Sequence, residues 1–236
     1  MPEPVIVLTG GTGHLGTQLA RRLKDQGARL AVSYLIPEEA EAFEAAVDLD
    51  EDRLMLRRVD STSPEQVAEF FADVAETFGG FNGVASLVGV WAGGRDIVDE
   101  DELRLDRMLD INLRSAFYAV RAAIPHLSKQ AWGRIVLIGS TAATDTPIGQ
   151  AAFNISKAGV QALGTSAAAE LADRGITVNV VTPSIIDTPA TRAALPFSDY
   201  VDWPEPDEIA SVVAYLLSED SGVVTGAVIP TRGKTL

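Results

Sequence analysis

The sequence predicts a doubly wound α/β domain with a mostly parallel sheet of about seven strands. Three observations predict it. Short β-branched runs alternate with longer amphipathic stretches. A glycine-rich turn joins the first run to the first stretch. The chain has 236 residues, enough for one α/β unit with a real core, and no segment reads as a domain boundary, so 1–236 is expected to be one domain.

The elements follow in order. Val5 to Leu8 reads as a buried strand bounded by Gly10. Leu15 to Asp25 is helical, with Leu15, Leu19 and Leu23 on one face and Gly27 as its stop. Leu30 to Tyr34 is a strand, Glu38 to Val47 a helix, and Leu54 to Val59 the next strand. Ser63-Pro64-Glu65-Gln66 opens another helix, serine as N-cap and proline at the first helical position. Val84 to Val88, Arg134 to Ile138 and Thr177 to Val181 are further strands. Two long helices, about Glu102 to Leu127 and Gln150 to Asp173, lie between them. Pro183 to Pro206 is rich in Pro, Asp and Ser and reads as a long loop, of the kind that serves as a lid.

Composition limits the partners. The net charge is −14, from 19 basic and 33 acidic residues, so phosphate backbones and anionic lipid would be repelled. No apolar run approaches the ~18 residues of a membrane span. Nucleic acid and membrane are therefore not expected, and a small-molecule substrate is. Cysteine is absent, which removes disulfides and thiolate chemistry and fits a reducing cytoplasm. No His/Asp/Glu group has metal-ligand spacing, so no metal is expected.

Gly11-Thr12-Gly13-His14-Leu15-Gly16 is a GxGxxG between a strand and a helix. In that setting it is a dinucleotide-binding (Rossmann) turn, whose glycines allow a tight turn and close backbone approach to a pyrophosphate. The helix N-terminus adds free N–H groups and partial positive charge. Gly10, Thr12, Gly13, His14, Leu15 and Gly16 are the candidate cofactor residues there, His14 through its backbone. An acidic residue about 20 positions on would select NAD, but the second strand ends in Ser33-Tyr34-Leu35, uncharged. NAD or NADP is therefore expected, with modest discrimination at Tyr34. Asp60, with Ser61 beside it, reads equally as a receiver of the adenine amino group or as an N-terminal helix charge.

Ser140 follows the strand Arg134 to Ile138, at the carboxyl edge where open sheets bind ligands. Phe153 comes thirteen residues later, and Lys157 lies one helical turn beyond it on the same face. With this pattern the chain resembles the short-chain dehydrogenase/reductase family from about residue 5 to 230. That family has a serine on this turn, followed by Tyr-x-x-x-Lys; here the motif reads Phe153-Asn-Ile-Ser-Lys157. Asn112, in Asp110-Ile-Asn-Leu113, matches the family's helix asparagine. Pro183-Ser-Ile-Ile186-Asp-Thr188 matches its Pro-Gly-x-Ile-x-Thr, and Val88-Gly89 keeps the end of its Asn-Asn-Ala-Gly. Val90-Trp91-Ala-Gly-Gly94, together with Asp187, Arg192, Pro196, Asp199 and Trp203, looks like the dihydropteridine reductase branch.

The resemblance implies a division of roles. The tyrosine would protonate the carbonyl oxygen as hydride arrives. Lys157 would bind the nicotinamide ribose, Ser140 would bond the carbonyl, and Asn112 would hold a water that relays protons. Val88, Gly89, Pro183, Ile186 and Thr188 would line the cofactor site. Phe153 cannot donate a proton, and losing a general acid costs roughly 10²–10⁴-fold. The expected chain binds cofactor but reduces a carbonyl or pteridine-like ring poorly. Either the substitution was made to trap a complex, or the protein is a silent nucleotide-binding member that acts through a partner. Trp91 and Trp203 would each stack on a flat substrate or simply cover the core. Lys157→Ala is expected to leave stability nearly unchanged, because the site reads as an open crevice. In the family the helices at Glu102–Leu127 and Gln150–Leu171 build dimers and tetramers, which implies a homodimer or homotetramer.

Overall fold

The computed structural model describes residues 3–234. Seven strands form one fully parallel sheet: β1 (Val5–Thr9), β2 (Arg29–Tyr34), β3 (Leu54–Arg58), β4 (Gly83–Ser86), β5 (Gly133–Ile138), β6 (Ile176–Pro183) and β7 (Val228–Thr231). Their order is β3-β2-β1-β4-β5-β6-β7. The chain moves outward from β1 in one direction and then, after β3, crosses back to β4. A crevice therefore opens at the carboxyl ends of β1 and β4, where such folds bind ligands.

Helices cover both faces. On one side α1 (His14–Asp25), α2 (Pro37–Val47) and α9 (Pro206–Leu217) bury Leu19, Phe43, Ile209 and Val213 against Ile6, Leu30 and Val181. On the other, α3 (Pro64–Phe78), α5 (Ser115–Leu127) and α7 (Ala151–Leu171) bury Phe70, Phe71, Ala119 and Val160 against Val7, Val84 and Val178. α3 starts as its sequence dictates, with the Ser63 hydroxyl accepting from the Gln66 N–H. Among the described residues no helix is long and apolar enough to cross a membrane.

Several expectations need correction. The predicted Glu102–Leu127 helix is not uniform. It divides into α4 (Glu102–Met108), a π-helical turn at Leu109–Arg114, and α5. β4 stops at Ser86 rather than Val88, because Val88 turns to pack against Gly10. The Pro183–Pro206 loop contains α8 (Pro189–Ala194), N-capped by Thr188, whose hydroxyl accepts from the Thr191 N–H. A short α6 (Ala142–Asp145) follows β5.

Candidate functional site

A cleft of about 860 Å³ opens at the carboxyl ends of the central strands. It is lined by the turn after β1 (Gly10, Gly13, His14, Leu15, Gly16), by the segment after β4 (Gly89, Val90, Trp91, Gly93, Gly94), by Ser140, Phe153 and Lys157, and by Pro183, Ile186 and Thr188.

The glycine turn is shaped by contact. A Cβ on Gly16 would stand 2.1 Å from the Gly11 carbonyl oxygen, so α1 can close on the turn only with glycine there. Around Gly13 there is open space, with no heavy atom within 4 Å of where its Cβ would be. Gly13 is the N-cap of α1, and no side chain caps the helix. The first-turn N–H groups, which have no acceptor within their own helix, thus meet the cleft. β2 steadies the turn: Ser33 Oγ accepts from the Gly10 N–H at 3.0 Å, and its carbonyl accepts from the Gly11 N–H at 3.1 Å.

Lys157 reaches the cleft from the second turn of α7. Its Nζ donates to the Ile138 carbonyl at 2.9 Å. The side chain is buried, and desolvation without a carboxylate partner holds its pKa down at about 8. This corrects the open-crevice expectation: the lysine side chain is buried in packed structure although it borders the cleft. Ser140 is steadied by its own turn. Its Oγ accepts from the Ala142 N–H at 3.2 Å and lies 3.5 Å from the Pro183 carbonyl. Phe153 packs with Met108, Ala142 and Ala152, with Val90, Ala92 and Leu105 around them.

Asn112 does not line the cleft. It is buried in the π-helical turn. Its Oδ1 accepts from the Val90 N–H at 2.8 Å, and its Nδ2 donates to the Val90 carbonyl and to Ser156 Oγ, each at 3.0 Å. The amide therefore clamps the segment after β4 onto α7. The π-turn is the local distortion that aims it there.

Other predicted residues fall outside the cleft lining. Thr12 is buried and donates to Glu39 Oε2 at 3.2 Å. Asp60 turns back on its own loop, accepting from the Thr62 N–H at 2.9 Å and the Thr62 hydroxyl at 2.7 Å. Tyr34, Ser61 and Val88 also lie outside it. Trp203 packs beside Tyr200, ring centroids 5.9 Å apart, and does not face the cleft. Trp91 does line it, half exposed, with its indole N–H donating to Gln150 Oε1 at 2.6 Å.

Two features escaped the sequence reading. Glu39 touches the glycine turn from α2, beyond the end of β2 where a dinucleotide fingerprint carries its acidic residue. Asp145 and Arg232 form a two-point ion pair at 2.7 and 2.8 Å in the cleft wall, which holds the Asp145 carboxyl below the usual carboxylate range. They are 87 residues apart, so nothing local announces the pair.

Comparisons with known proteins agree with this architecture. A family model described as enoyl-(acyl carrier protein) reductase matches residues 12–233. The chain is 27% identical to D-beta-hydroxybutyrate dehydrogenase of Rhizobium meliloti (strain 1021), over 96% of each chain. It is 30% identical to the 3-oxoacyl-[acyl-carrier-protein] reductase MabA of Mycobacterium tuberculosis (strain ATCC 25618 / H37Rv), over 97% of this chain and 91% of that one. Among solved structures, a short-chain dehydrogenase/reductase from Serratia marcescens BCRC 10948 superposes with a TM-score of 0.90 at 31% identity, covering 98% of this chain and 96% of that one. Xylitol dehydrogenase, solved with NAD+ bound, superposes with a TM-score of 0.89 at 28% identity and covers 98% of both. With the glycine turn, the parallel sheet and the Ser140–Lys157 cleft in place, the chain belongs to the short-chain dehydrogenase/reductase family.

Proposed function

We propose that this oxidoreductase binds a nicotinamide dinucleotide along the glycine turn and Lys157, and acts on a small carbonyl compound or the matching alcohol. The convergence of the glycine turn, Ser140, Phe153 and Lys157 on one cleft carries the reading. The residues fit such a cofactor. The uncapped N-terminus of α1, open at Gly13, suits a pyrophosphate. The Lys157 ammonium keeps two donors beyond the one given to Ile138, enough for a ribose diol. Ile186 and Thr188 line the side of the cleft nearest α8. When bound, the dinucleotide supplies the hydride donor or acceptor.

The chain's own residues do the rest. Ser140, already held through its acceptor side by the Ala142 N–H, can turn its proton to a substrate oxygen. Phe153 stands where the same oxygen would need a proton donor, and it supplies only apolar surface. Reduction is therefore slow while binding is intact. Trp91 favours a flat ring as a second substrate class, because its half-exposed indole lines the cleft and is fixed by Gln150.

The test is binding followed by turnover. Calorimetric titration with NADH and NADPH is expected to show binding of at least one. Phe153→Tyr is then assayed on small diketones and quinonoid dihydropterin, and turnover is expected to rise. A Tyr variant that binds cofactor yet stays inactive on the whole panel, while the original chain captures a specific partner, would replace this reading with a silent nucleotide-binding protein.

A further inference from the structure

Glu39 stands in the first turn of α2 and reaches back to the glycine turn, where its carboxylate accepts from Thr12 Oγ1 at 3.2 Å. Thr12 is buried between Gly11 and Gly13, while Glu39 is exposed. One carboxylate oxygen is engaged by this bond, and the other has no protein partner within hydrogen-bond distance among the described residues. Glu38 adds a second carboxylate to the same helical turn. The corner is rigid, since Ser33 at the end of β2 bonds both Gly10 and Gly11. Tyr34 and Leu35, which close β2, carry no charge of their own.

We propose that Glu39 makes this chain select NAD over NADP, taking over a task for which Tyr34 is chemically unsuited. The inference rests on the reading of the glycine turn as a dinucleotide site. A carboxylate beside that turn can accept from the hydroxyls of the adenosine ribose. A 2′-phosphate at the same place offers no such donor and brings negative charge against Glu39 and Glu38. The opposing group is Arg58 at the end of β3, whose Nε donates to the Leu35 carbonyl at 3.2 Å. A phosphate would have to draw that guanidinium away from its carbonyl, past two carboxylates. This selectivity goes beyond the modest discrimination expected from Tyr34 and Leu35 alone.

The experiment measures dissociation constants rather than turnover. NADH and NADPH are titrated by calorimetry against the original chain, Glu39→Gln and Arg58→Ala, with 5′-AMP and 2′,5′-ADP as competing fragments. A carboxylate and a phosphate at contact distance in a hydrated site predict a preference for NADH of about tenfold or more. Glu39→Gln keeps an acceptor for Thr12 and removes the charge, so it should narrow the gap chiefly by tightening NADPH. The AMP and ADP fragments should show the same pattern, and the original chain's NADPH affinity should improve as salt screens the repulsion. Equal binding of both cofactors, or a gap unchanged in Glu39→Gln, would overturn the inference and leave the proposed function standing. A preference for NADPH that Arg58→Ala abolishes would overturn it in favour of Arg58. Failure of both cofactors to bind would overturn the function together with this inference.

Discussion

Gly89 lies directly over the amine of Lys157: a Cβ built on Gly89 would stand 3.2 Å from Nζ and 3.3 Å from Asn112 Oδ1. The segment after β4 thus crosses the lysine so closely that a side chain at 89 must displace something. Asn112 cannot yield easily, because its Oδ1 is held by the Val90 N–H. Lys157 can, at the expense of its bond to Ile138.

Gly89→Ala should therefore shift the amine rather than unfold the domain. The expected cost in stability is about 1 kcal/mol, the low end for an added methyl in a packed site. Cofactor affinity should fall by about tenfold, part of the charge-assisted bond that a displaced ammonium loses. Calorimetry and urea unfolding on the same preparation separate the two. Unchanged affinity would show that the position of the amine is not critical.

Lys157 should make stability depend on pH. Burial holds its pKa at about 8, against 10.5 in the unfolded chain. Below about pH 8 both states carry the proton, and the full cost of burying the charge is present. As pH rises from there toward 10.5, the folded state has released a proton that the unfolded state still binds, so stability rises. The difference corresponds to about 3 kcal/mol. Lys157→Met should be more stable than the original chain at pH 7, less the lost bond to Ile138, and that advantage should shrink between pH 8 and 10.5. Urea midpoints across that range are the measurement; a pH-independent gap would mean that the amine is solvated in the folded chain. The same substitution should weaken dinucleotide binding by roughly 1.5–3 kcal/mol if Lys157 holds the ribose.

Asn112 gives a contrasting case, a polar residue whose partners are all internal. Asn112→Ala would strip partners from the Val90 N–H, the Val90 carbonyl and Ser156 at once. An unsatisfied buried group costs about 1–3 kcal/mol, so a loss of at least ~2 kcal/mol is expected. Asn112→Asp keeps the acceptor for the Val90 N–H but sets a buried carboxylate oxygen against the Val90 carbonyl, and should cost at least as much as Asn112→Ala. Unfolding by urea ranks the three. A negligible effect in Asn112→Ala would mean that the segment after β4 is held by something else.

What the sequence disclosed depended on how local each cause was. The glycine turn, the Ser63 cap and the Ser140–Phe153–Lys157 spacing are set by neighbours within a few turns, and the structure places each at the expected end of its strand or helix. The π-turn at Asn112 is different. The apolar pattern continues through it, and only the tertiary clamp on Val90 shows why the helix distorts. Glu39 and the Asp145–Arg232 pair are contacts between distant segments, outside the reach of any motif. Two omissions were avoidable or nearly so. α9 buries Ile209, Val213, Leu216 and Leu217 at helical spacing behind a capping box at Glu205 and Glu208, all readable in the sequence. β7 is harder, because it is a four-residue edge strand containing Pro230 and only half covered. For Trp203 the sequence leaves two roles open, stacking on a substrate or covering the core, and its packing beside Tyr200 after α8 accords with the second.

Phe153 is where structure and chemistry part, and a single oxygen atom tests it. The residue sits one turn before Lys157 on α7 and lines the cleft that Ser140 also lines. It is 9% exposed, with the rest of its surface against Met108, Ala142 and Ala152. The Lys157 amine, held near pH 8, would sit one turn from the new phenol and favour its ionised form, which lowers the pKa of the acid the reaction needs. Phe153→Tyr should fold with a urea midpoint close to that of the original chain, since Phe153 lines the cleft and the added hydroxyl is expected to extend into it. Turnover should rise by roughly 10²–10⁴-fold, the range for restoring a general acid. The rise should appear in kcat more than in KM, because the phenol acts on the oxygen as charge develops there rather than on the bound substrate. It should also vanish in Phe153→Tyr combined with Lys157→Met. A gain that survives the loss of Lys157 would mean that the phenol works without the lysine. No gain on any carbonyl or pterin substrate, in a variant that still binds dinucleotide, would mean that the cleft does not carry out carbonyl or pterin reduction.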